Sequence, residues 1–498
     1  MSSITAGTLP RARARSRRRG WYLFDPPNFF FITVVVAGLI WSATVPWPNR
    51  AVALVMAALI DLATLFVTTL YRRDRVLPVF EIGSVWAAAA FMYAFYPLVN
   101  YVAGGWAWTP AADFRLLQKA TSPELLAAFA SRYVVYFGCF TVAYLAYRGR
   151  RFVRHVPLDP PGRARMTSVL LMFVGILGTL MVIGRVYGID YDPSYAQMMA
   201  GQTQTIVTLP YWLLQIVHNL SSIRFFLEQI ILLIIIIRWR RRAWRWFLIA
   251  FLSIYLVYTA AHGGARTEVV LLVFTAVFLY HRFVRPFRVA VMIPVAALAL
   301  GSFLALGIVR DFAGYDSFRS LDSPALSGAN EFSAVFGTSF DLWSMRRDGT
   351  ITRVPWQIFV SDFYYLVPSQ LLPFQKIDPS EWYLRQAGIE GIGLMFGALG
   401  QSVLGLDWPD IALRGIVVGL AAAALHRWYV RRAAHFWPTL LYLFVTVTAY
   451  YSLRQTAFSQ LYFVVYWFLP AMAGVELLTF ILQRGSAHLR QLGRGAAA

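Results

Sequence analysis

Cysteine, histidine and acidic residues are all scarce in this chain. The one cysteine, Cys139, lies in an apolar stretch, so the sequence predicts neither a disulfide framework nor a cysteine metal site. The seven histidines show no spacing to a carboxylate that would suit a metal. A phosphate loop of the nucleotide-binding type and a Gly-x-Ser-x-Gly elbow are also missing. We therefore expect no cofactor, no metal and no direct use of ATP.

The fraction of charged residues is low, and the fraction of apolar residues is high. Charged residues make up 14% of the 498 residues, hydrophobic residues 58%, and the mean hydropathy is +0.56. Soluble domains carry far more charge. Apolar windows of span length predict an all-α polytopic membrane protein with about twelve transmembrane helices. The predicted spans are residues 29–45, 51–70, 82–103, 132–147, 166–187, 223–237, 246–260, 267–281, 289–309, 411–426, 436–452 and 458–482.

The basic residues predict the topology. The chain has 45 basic and 24 acidic residues, and arginine clusters recur at every second loop. The positive-inside rule therefore places these loops and both termini in the cytoplasm. Because topology accounts for the arginines, nucleic acid is not an expected partner. The clusters are Arg11–Arg19, Arg72–Arg75, Arg148–Arg165, Arg238–Arg245, Arg282–Arg288, Arg427–Arg432 and Arg484–Arg494.

These spans divide the chain into five parts. Residues 1–28 form a basic cytoplasmic tail, which precedes a retained first helix because no small-residue cleavage site follows that helix. Residues 29–309 hold helices 1–9, residues 310–410 form a large outward loop, residues 411–482 hold helices 10–12, and residues 483–498 form a second tail. The loop contains apolar stretches, so we expect short interfacial or re-entrant helices that form a lid or cavity.

The stretch from Tyr258 to Glu268 predicts an anion site on the outer face. Gly263 and Gly264 allow a sharp turn between two apolar segments, so the first free N–H groups of the next helix should lie beside Arg266. A helix N-terminus and a guanidinium both attract phosphate. The competing interpretation is a loop cap that pairs with Glu268. The outward position of Arg266 favours the anion site.

Two further outward arginines differ from simple snorkelling side chains by their context. Arg310 opens the large loop beside Asp311, and Arg454 lies between aromatic and polar residues rather than in a basic cluster. Planar guanidinium donors match the oxygens of a pyrophosphate and could stabilise it as a leaving group. We therefore expect Arg266, Arg310 and Arg454 to bind a pyrophosphate.

An outward carboxylate is expected to act as general base. The available carboxylates are Glu268, Asp311, Glu331, Asp341, Asp362 and Glu390. Of these we select Glu268, Asp311, Glu331 and Glu390 as catalytic residues, with a loop ion pair as the competing interpretation for each. Trp343, Trp356 and Trp382 could stack on sugars or anchor the loop at the interface.

Four stretches in the C-terminal half carry a resemblance to a known family. They are His262-Gly-Gly-Ala-Arg266-Thr before an apolar helix, Leu366-Val-Pro-Ser-Gln-Leu-Leu-Pro-Phe-Gln-Lys376, the glycine-rich approach from Gly391 to Gly419, and Arg454 between the last two spans. These motifs resemble the Wzy-type oligosaccharide repeat-unit polymerases of bacterial surface-polysaccharide assembly. In one departure, this chain has Gly400-Gln401-Ser402 where the family often has Gly-Glu before an aromatic residue.

The resemblance implies a GT-C-like glycosyltransferase in the bacterial cytoplasmic (inner) membrane. Such an enzyme transfers a growing oligosaccharide from polyprenyl pyrophosphate to a lipid-linked repeat unit on the outer face. Its partners would be the polyprenyl-pyrophosphate-linked oligosaccharide and membrane lipid, with a chain-length regulator and a flippase as candidate protein partners. Together with the outward positions, the resemblance assigns substrate binding to Arg266, Arg310, Lys376, Arg385 and Arg454.

Two alternatives stay open. The O-antigen ligase type resembles the polymerases but typically depends on a histidine in the large outward loop, and residues 310–410 contain none. A lipid-linked glycan flippase or another transporter would carry charges along its mid-membrane helices, where Asp61 and Glu228 are nearly alone.

Overall fold

Apolar runs bounded by arginine become helices wherever the structure describes the chain. The computed structural model describes residues 26–74, 80–104, 122–149, 158–187, 210–261, 266–287, 331–387, 396–456 and 459–495, apart from short gaps inside these ranges. No strand occurs in these ranges. The helices before the large loop are α1 (Pro26–Thr44), α2 (Arg50–Asp74), α3 (Ile82–Gly104), α4 (Pro123–Tyr147), α5 (Arg163–Tyr187), α6 (Tyr211–Ile237), α7 (Arg242–Ala261) and α8 (Arg266–Phe283).

The remaining helices form the large loop and the C-terminal spans. In the loop they are α9 (Glu331–Arg347), α10 (Trp356–Tyr364), α11 (Pro379–Ala387) and α12 (Gly397–Leu404). After it come α13 (Trp408–Arg432), α14 (Phe436–Val447), α15 (Tyr451–Arg454), α16 (Ser459–Phe463), a π-helical turn (Val464–Phe468) and α17 (Leu469–Gly495).

Eight helical stretches in the described ranges are long and apolar enough to cross a membrane, so the chain is a multi-pass membrane protein. They are α1 to α5, the Ile216–Ile237 part of α6, α13, and Gln460–Ser486, which runs through the π-helical turn into α17. Each coincides with a predicted span. Helices α7 and α8 cover the predicted spans 246–260 and 267–281, and span 289–309 lies outside the described residues. The count of twelve stays a prediction.

The predicted span 436–452 is not one continuous helix. Helix α14 ends at Val447, and the short helix α15 then carries Arg454. Near the end of α14 the hydroxyls of Thr446 and Thr448 donate to carbonyls one turn earlier, at 2.6 and 2.7 Å. Threonines that bond back in this way weaken and bend a helix. The break separates Arg454 from the preceding span.

Helices α4 and α13 form the most extensive helix pair. Gly415 and Gly419 lie one turn apart on the same face of α13. A Cβ added at these glycines would come within 2.6 Å of the Tyr136 carbonyl oxygen and 2.7 Å of the Phe140 carbonyl oxygen, respectively. Glycines spaced by four residues let two membrane helices approach to backbone contact.

We expect Gly419→Leu to separate this pair and lower the free energy of unfolding. Overpacking a tight contact costs about 1–3 kcal/mol, and here the neighbour is backbone, which cannot rotate away. Thermal unfolding of the protein in detergent measures the change. Gly175→Leu is the matched control, because a Cβ at Gly175 of α5 meets nothing within 4 Å. Equal midpoints for the two variants would contradict this packing account.

The basic ends of several helices lie together at one end of the bundle. Arg148, which follows α4, pairs with Asp74 at the end of α2 and with Glu81 just before α3. Near the same end, the guanidinium of Arg427 on α13 lies 4.4 Å from the ring centroid of Tyr147 on α4. The arrangement agrees with the alternation that the arginine clusters predict.

Part of the large loop enters the bundle from the opposite end. The rings of Phe332 on α9 and Tyr93 on α3 are 4.9 Å apart, and the rings of Phe336 and Tyr133 on α4 are 5.4 Å apart. Tyr93 and Tyr133 each lie roughly 15 Å inside their own helices at 1.5 Å per residue. The first half of α9 therefore reaches about halfway along these spans, as a re-entrant helix does.

Candidate functional site

Several predicted site residues cannot be placed by their side chains. Arg310, Asp311 and Glu390 lie outside the described residues. Arg266 and Glu268 fall in the first turn of α8, and Glu331 begins α9, but their side chains are not among those described. Helix α8 is described from Arg266 onward. Their proposed roles stay predictions.

Arg385 lies on the exposed side of α11. Its guanidinium is 3.5 Å from the carboxylate of Glu381 one turn earlier, and the two side chains are 79% and 69% exposed. An exposed pair of this kind contributes little to stability. The described ion pair of Arg385 is within its own helix, whereas Lys376 and Arg454 contact aromatic rings.

Arg454 lies at one end of a group of aromatic rings. Its guanidinium carbon is 5.6 Å from the ring centroid of Tyr451. The Tyr451 ring contacts Phe463 at 5.1 Å, and Phe463 stacks on Trp467 at 4.1 Å. The last two rings are carried by α16 and the π-helical turn. π-Helical turns are rare and occur frequently at functional sites.

Lys376 lies at the other end of the same group of rings. Its amine is 5.9 Å from the ring centroid of Tyr364, and burial lowers the pKa of this amine from its usual value. Two residues after Tyr364, the Leu366 carbonyl accepts a hydrogen bond of 2.8 Å from the Tyr466 hydroxyl. The Tyr466 ring contacts Tyr462 at 4.7 Å.

Ring contacts, one hydrogen bond and the backbone from Tyr364 to Leu366 therefore connect the two cations. The rings of Tyr462 and Phe463 are 6.1 Å apart, which connects the Lys376 side to the Arg454 side. We call the whole set the aromatic array, and it consists of Tyr364, Tyr451, Tyr462, Phe463, Tyr466 and Trp467. Tyr364 and Phe463 are buried, and the other four rings are partly exposed. Partly exposed aromatic faces can stack on sugars and pack against apolar chains, and the flanking cations attract anions. The array suits a ligand that combines these features.

Gly397 allows the loop to contact the backbone next to Arg454. Gly397 begins α12 with φ +65°, and a Cβ there would lie 2.2 Å from the Leu453 carbonyl oxygen and 2.9 Å from Val335 on α9. Only glycine fits this conformation and this approach. Because Leu453 directly precedes Arg454, α12 connects the cation to α9.

Gln401 on α12 bridges the loop and the spans. Its amide nitrogen donates to the Ile358 carbonyl at 2.9 Å and to the Ser361 hydroxyl at 2.8 Å. Its amide oxygen accepts from Arg414 on α13 at 3.3 Å, and Arg414 also pairs with Asp410. A glutamate could not donate, so this environment explains physically why glutamine follows Gly400 in this chain.

We expect Gln401→Glu to lower the free energy of unfolding by about 1–3 kcal/mol, because the buried Ser361 hydroxyl would lose the Gln401 donor and the Ile358 carbonyl would keep only the Ser361 hydroxyl. Thermal unfolding in detergent measures this change. Gln375→Glu, at an exposed position of the same loop, is the control. A Gln401→Glu midpoint equal to that of the control would show that the two donated bonds contribute nothing.

Two of the three tryptophans for which sugar stacking and interfacial anchoring both stayed open are buried. Trp343 is 9% exposed, packs on Phe129 at 5.9 Å and carries the Arg132 guanidinium at 4.9 Å. Trp382 is 7% exposed within a small apolar core. Apolar packing of the loop therefore occupies both rings. Trp356, which is 52% exposed, keeps a face available.

The structure draws attention to Asp341, an available carboxylate that the sequence did not favour over the others. It is 3% exposed and accepts a hydrogen bond of 2.7 Å from the Tyr383 hydroxyl. Burial raises the pKa of the Asp341 carboxyl to about 6, although the bond from Tyr383 lowers it. The flanking apolar residues Phe340, Leu342 and Trp343 were the sequence signal for this burial.

Comparisons of the chain with protein-family models, with curated proteins and with solved structures found no match. The fold itself defines the class: a multi-pass helical membrane protein in which a long loop folds back into the bundle. Within the described ranges, no group of three or more histidine, cysteine or acidic side chains is placed to hold a metal.

Proposed function

We propose that this chain is a membrane glycan polymerase. It transfers a growing oligosaccharide from polyprenyl pyrophosphate to a lipid-linked repeat unit on the outer face of the bacterial cytoplasmic membrane. The observation that carries the proposal is the aromatic array with Lys376 and Arg454 at its two ends. Arg454 follows α14, which starts at the basic end of the bundle, so the array lies toward the opposite, outward end.

The chemistry of this substrate matches the array. A polyprenyl-pyrophosphate-linked oligosaccharide has an apolar chain, a dianionic linker and sugar rings, and the array offers aromatic faces and cations in one place. A guanidinium presents planar donors to pyrophosphate oxygens and stabilises their charge as the glycosidic bond breaks. Departure of the pyrophosphate drives the transfer, so the reaction needs no nucleotide.

The remaining predicted residues have roles in the same proposal. Arg266 and Arg310 would complete the pyrophosphate site, and Lys376 and Arg385 would bind the substrate from the loop. The base is one of the outward carboxylates, for which Glu268, Asp311, Glu331 and Glu390 were selected from the sequence. The loop helices α9 and α12, which are packed into the bundle core, would hold these groups over the membrane.

Deletion of the gene in its native host tests the proposal. We expect long-chain surface polysaccharide to disappear from a gel and single repeat units to accumulate on lipid at the outer face. Accumulation at the cytoplasmic face would instead indicate a transporter. Unchanged long-chain polysaccharide in the deletion strain would contradict the proposed function.

A further inference from the structure

Asp341 has one oxygen that no described group satisfies. Its Oδ2 accepts the bond from Tyr383, whereas its Oδ1 is buried and has no hydrogen-bond partner among the described residues. A buried acceptor without a donor costs about 1–3 kcal/mol. Such an atom in a folded protein calls for an explanation, and a ligand that brings a hydroxyl donor supplies one.

The other three carboxylates that are buried in the described ranges lie beside arginine. Asp74 and Glu81 pair with Arg148, and Glu228 lies 3.5 Å from Arg224. Asp341 instead has a tyrosine as its described partner. Pairing with arginine favours the ionised form and removes basicity, whereas burial beside a neutral hydroxyl retains it. This environment is typical of a carboxylate that takes up a proton.

Asp341 is connected to the proposed substrate site through the packing of α12. The ring of Tyr383 on α11 contacts Phe396 at 6.1 Å, and Gly397, the next residue, packs on the carbonyl of Leu453 beside Arg454. The carboxylate and the cation are thus connected across the start of α12. The Tyr383 hydroxyl contacts the carboxylate from α11, so an acceptor sugar that reaches Oδ1 has to displace part of this packing.

Resting on the polymerase function proposed above, we infer that Asp341 is the general base that accepts the proton of the acceptor hydroxyl through Oδ1. The acceptor O–H bond breaks and its proton moves to Oδ1. The acceptor oxygen forms a bond to the anomeric carbon of the donor sugar. The bond from that carbon to the pyrophosphate oxygen breaks, and its electron pair leaves on the pyrophosphate. Asp341 then releases the proton to water.

Few charged groups surround this carboxylate. The titratable side chains with described contacts to α9 from neighbouring helices are Tyr383 on α11, Arg132 and Tyr133 on α4, and Tyr93 and Tyr96 on α3. Arg132 pairs with Asp407, and on α9 itself Arg346 donates to the Val403 carbonyl. Helix α12 contributes no titratable side chain. Tyr383 is the group that is hydrogen-bonded to Asp341, so Tyr383→Phe isolates the effect of this bond on the pKa of the Asp341 carboxyl.

Asp341→Asn tests the inference. Asparagine keeps the size and the acceptor for Tyr383 but cannot take up a proton. In membranes supplied with lipid-linked repeat units extracted from the deletion strain, we expect kcat to fall at least about 100-fold, with an unchanged thermal midpoint. Asp348→Asn, at an exposed carboxylate just after the same helix, should retain the wild-type rate. An Asp341→Asn rate within twofold of wild type would overturn the inference.

Tyr383→Phe provides a second readout that a structural role would not move. The base works when deprotonated, so the wild-type rate should fall as the pH drops through about 6. Because the Tyr383 bond lowers the pKa of Asp341, its loss should move this acid limb to higher pH. A uniform loss of rate at every pH, with the limb unmoved, would contradict the base assignment.

The two proposals fail separately. An active Asp341→Asn enzyme in a host whose deletion strain lacks long-chain polysaccharide would remove only the base assignment. A deletion strain that still makes long-chain polysaccharide would remove the polymerase function itself.

Discussion

Arg148→Ala is expected to remove most of the folded protein from the membrane. The Arg148 side chain is fully buried and donates to both Asp74 and Glu81, and the Tyr144 hydroxyl also donates to Glu81. Without the guanidinium, Asp74 and Glu81 would stay buried near the basic end of the bundle and would lose their ion pairs with Arg148. Breaking a buried ion pair on one side costs about 3–5 kcal/mol, a large part of the stability of a typical protein.

The amount of monodisperse protein after detergent extraction measures this effect. Arg431→Ala is the control, because Arg431 is exposed on α13 near the same basic end. A triple variant that also carries Asp74→Asn and Glu81→Gln should recover part of the loss, since it leaves no unpaired charge. Wild-type yield of the single Arg148→Ala variant would show that the buried cluster is not needed for folding.

Arg454→Ala is expected to abolish long-chain polysaccharide in the complemented deletion strain while the protein remains in the membrane. Arg454 is partly exposed, so its loss leaves the fold intact, but the leaving pyrophosphate loses a charged donor. Removal of one such donor costs about 100-fold to 1,000-fold in rate. Arg454→Lys should restore only part of the activity, because lysine keeps the charge and lacks the planar fork.

Arg353→Ala is the control for this prediction, since Arg353 is an exposed arginine of the large loop. The polymer length distribution on a gel, normalised to the amount of protein, is the readout. A wild-type distribution from Arg454→Ala would exclude this cation from the reaction and leave the aromatic array without its proposed role.

Hydropathy was sufficient to predict the helical spans, because a stretch of about 20 apolar residues in lipid must satisfy its backbone within one helix. It did not predict the end of α14 at Val447, which depends on threonine hydroxyls that bond back to the backbone. The sequence contains the four-residue spacing of Gly415 and Gly419, but it does not identify α4 as the helix that packs against them.

The candidate site was harder to predict because burial and proximity depend on the folded loop. Asp341 was one of several equivalent carboxylates in the sequence, and only the packing of α11 over α9 distinguishes it. Sugar stacking and interfacial anchoring both stayed open for Trp343 and Trp382 in the sequence, and in the structure the two rings are buried. Lys376 and Arg454 are 78 positions apart along the chain, and hydrogen bonds and ring contacts of other residues connect them.

Polymerisation by the purified protein is the most direct test of the central proposal. The protein would be placed in liposomes with lipid-linked repeat units extracted from the deletion strain, without nucleotide. We expect a ladder of products that grows by one repeat unit per step and releases one polyprenyl pyrophosphate for each bond formed. Unchanged repeat units after incubation with folded protein would contradict the account.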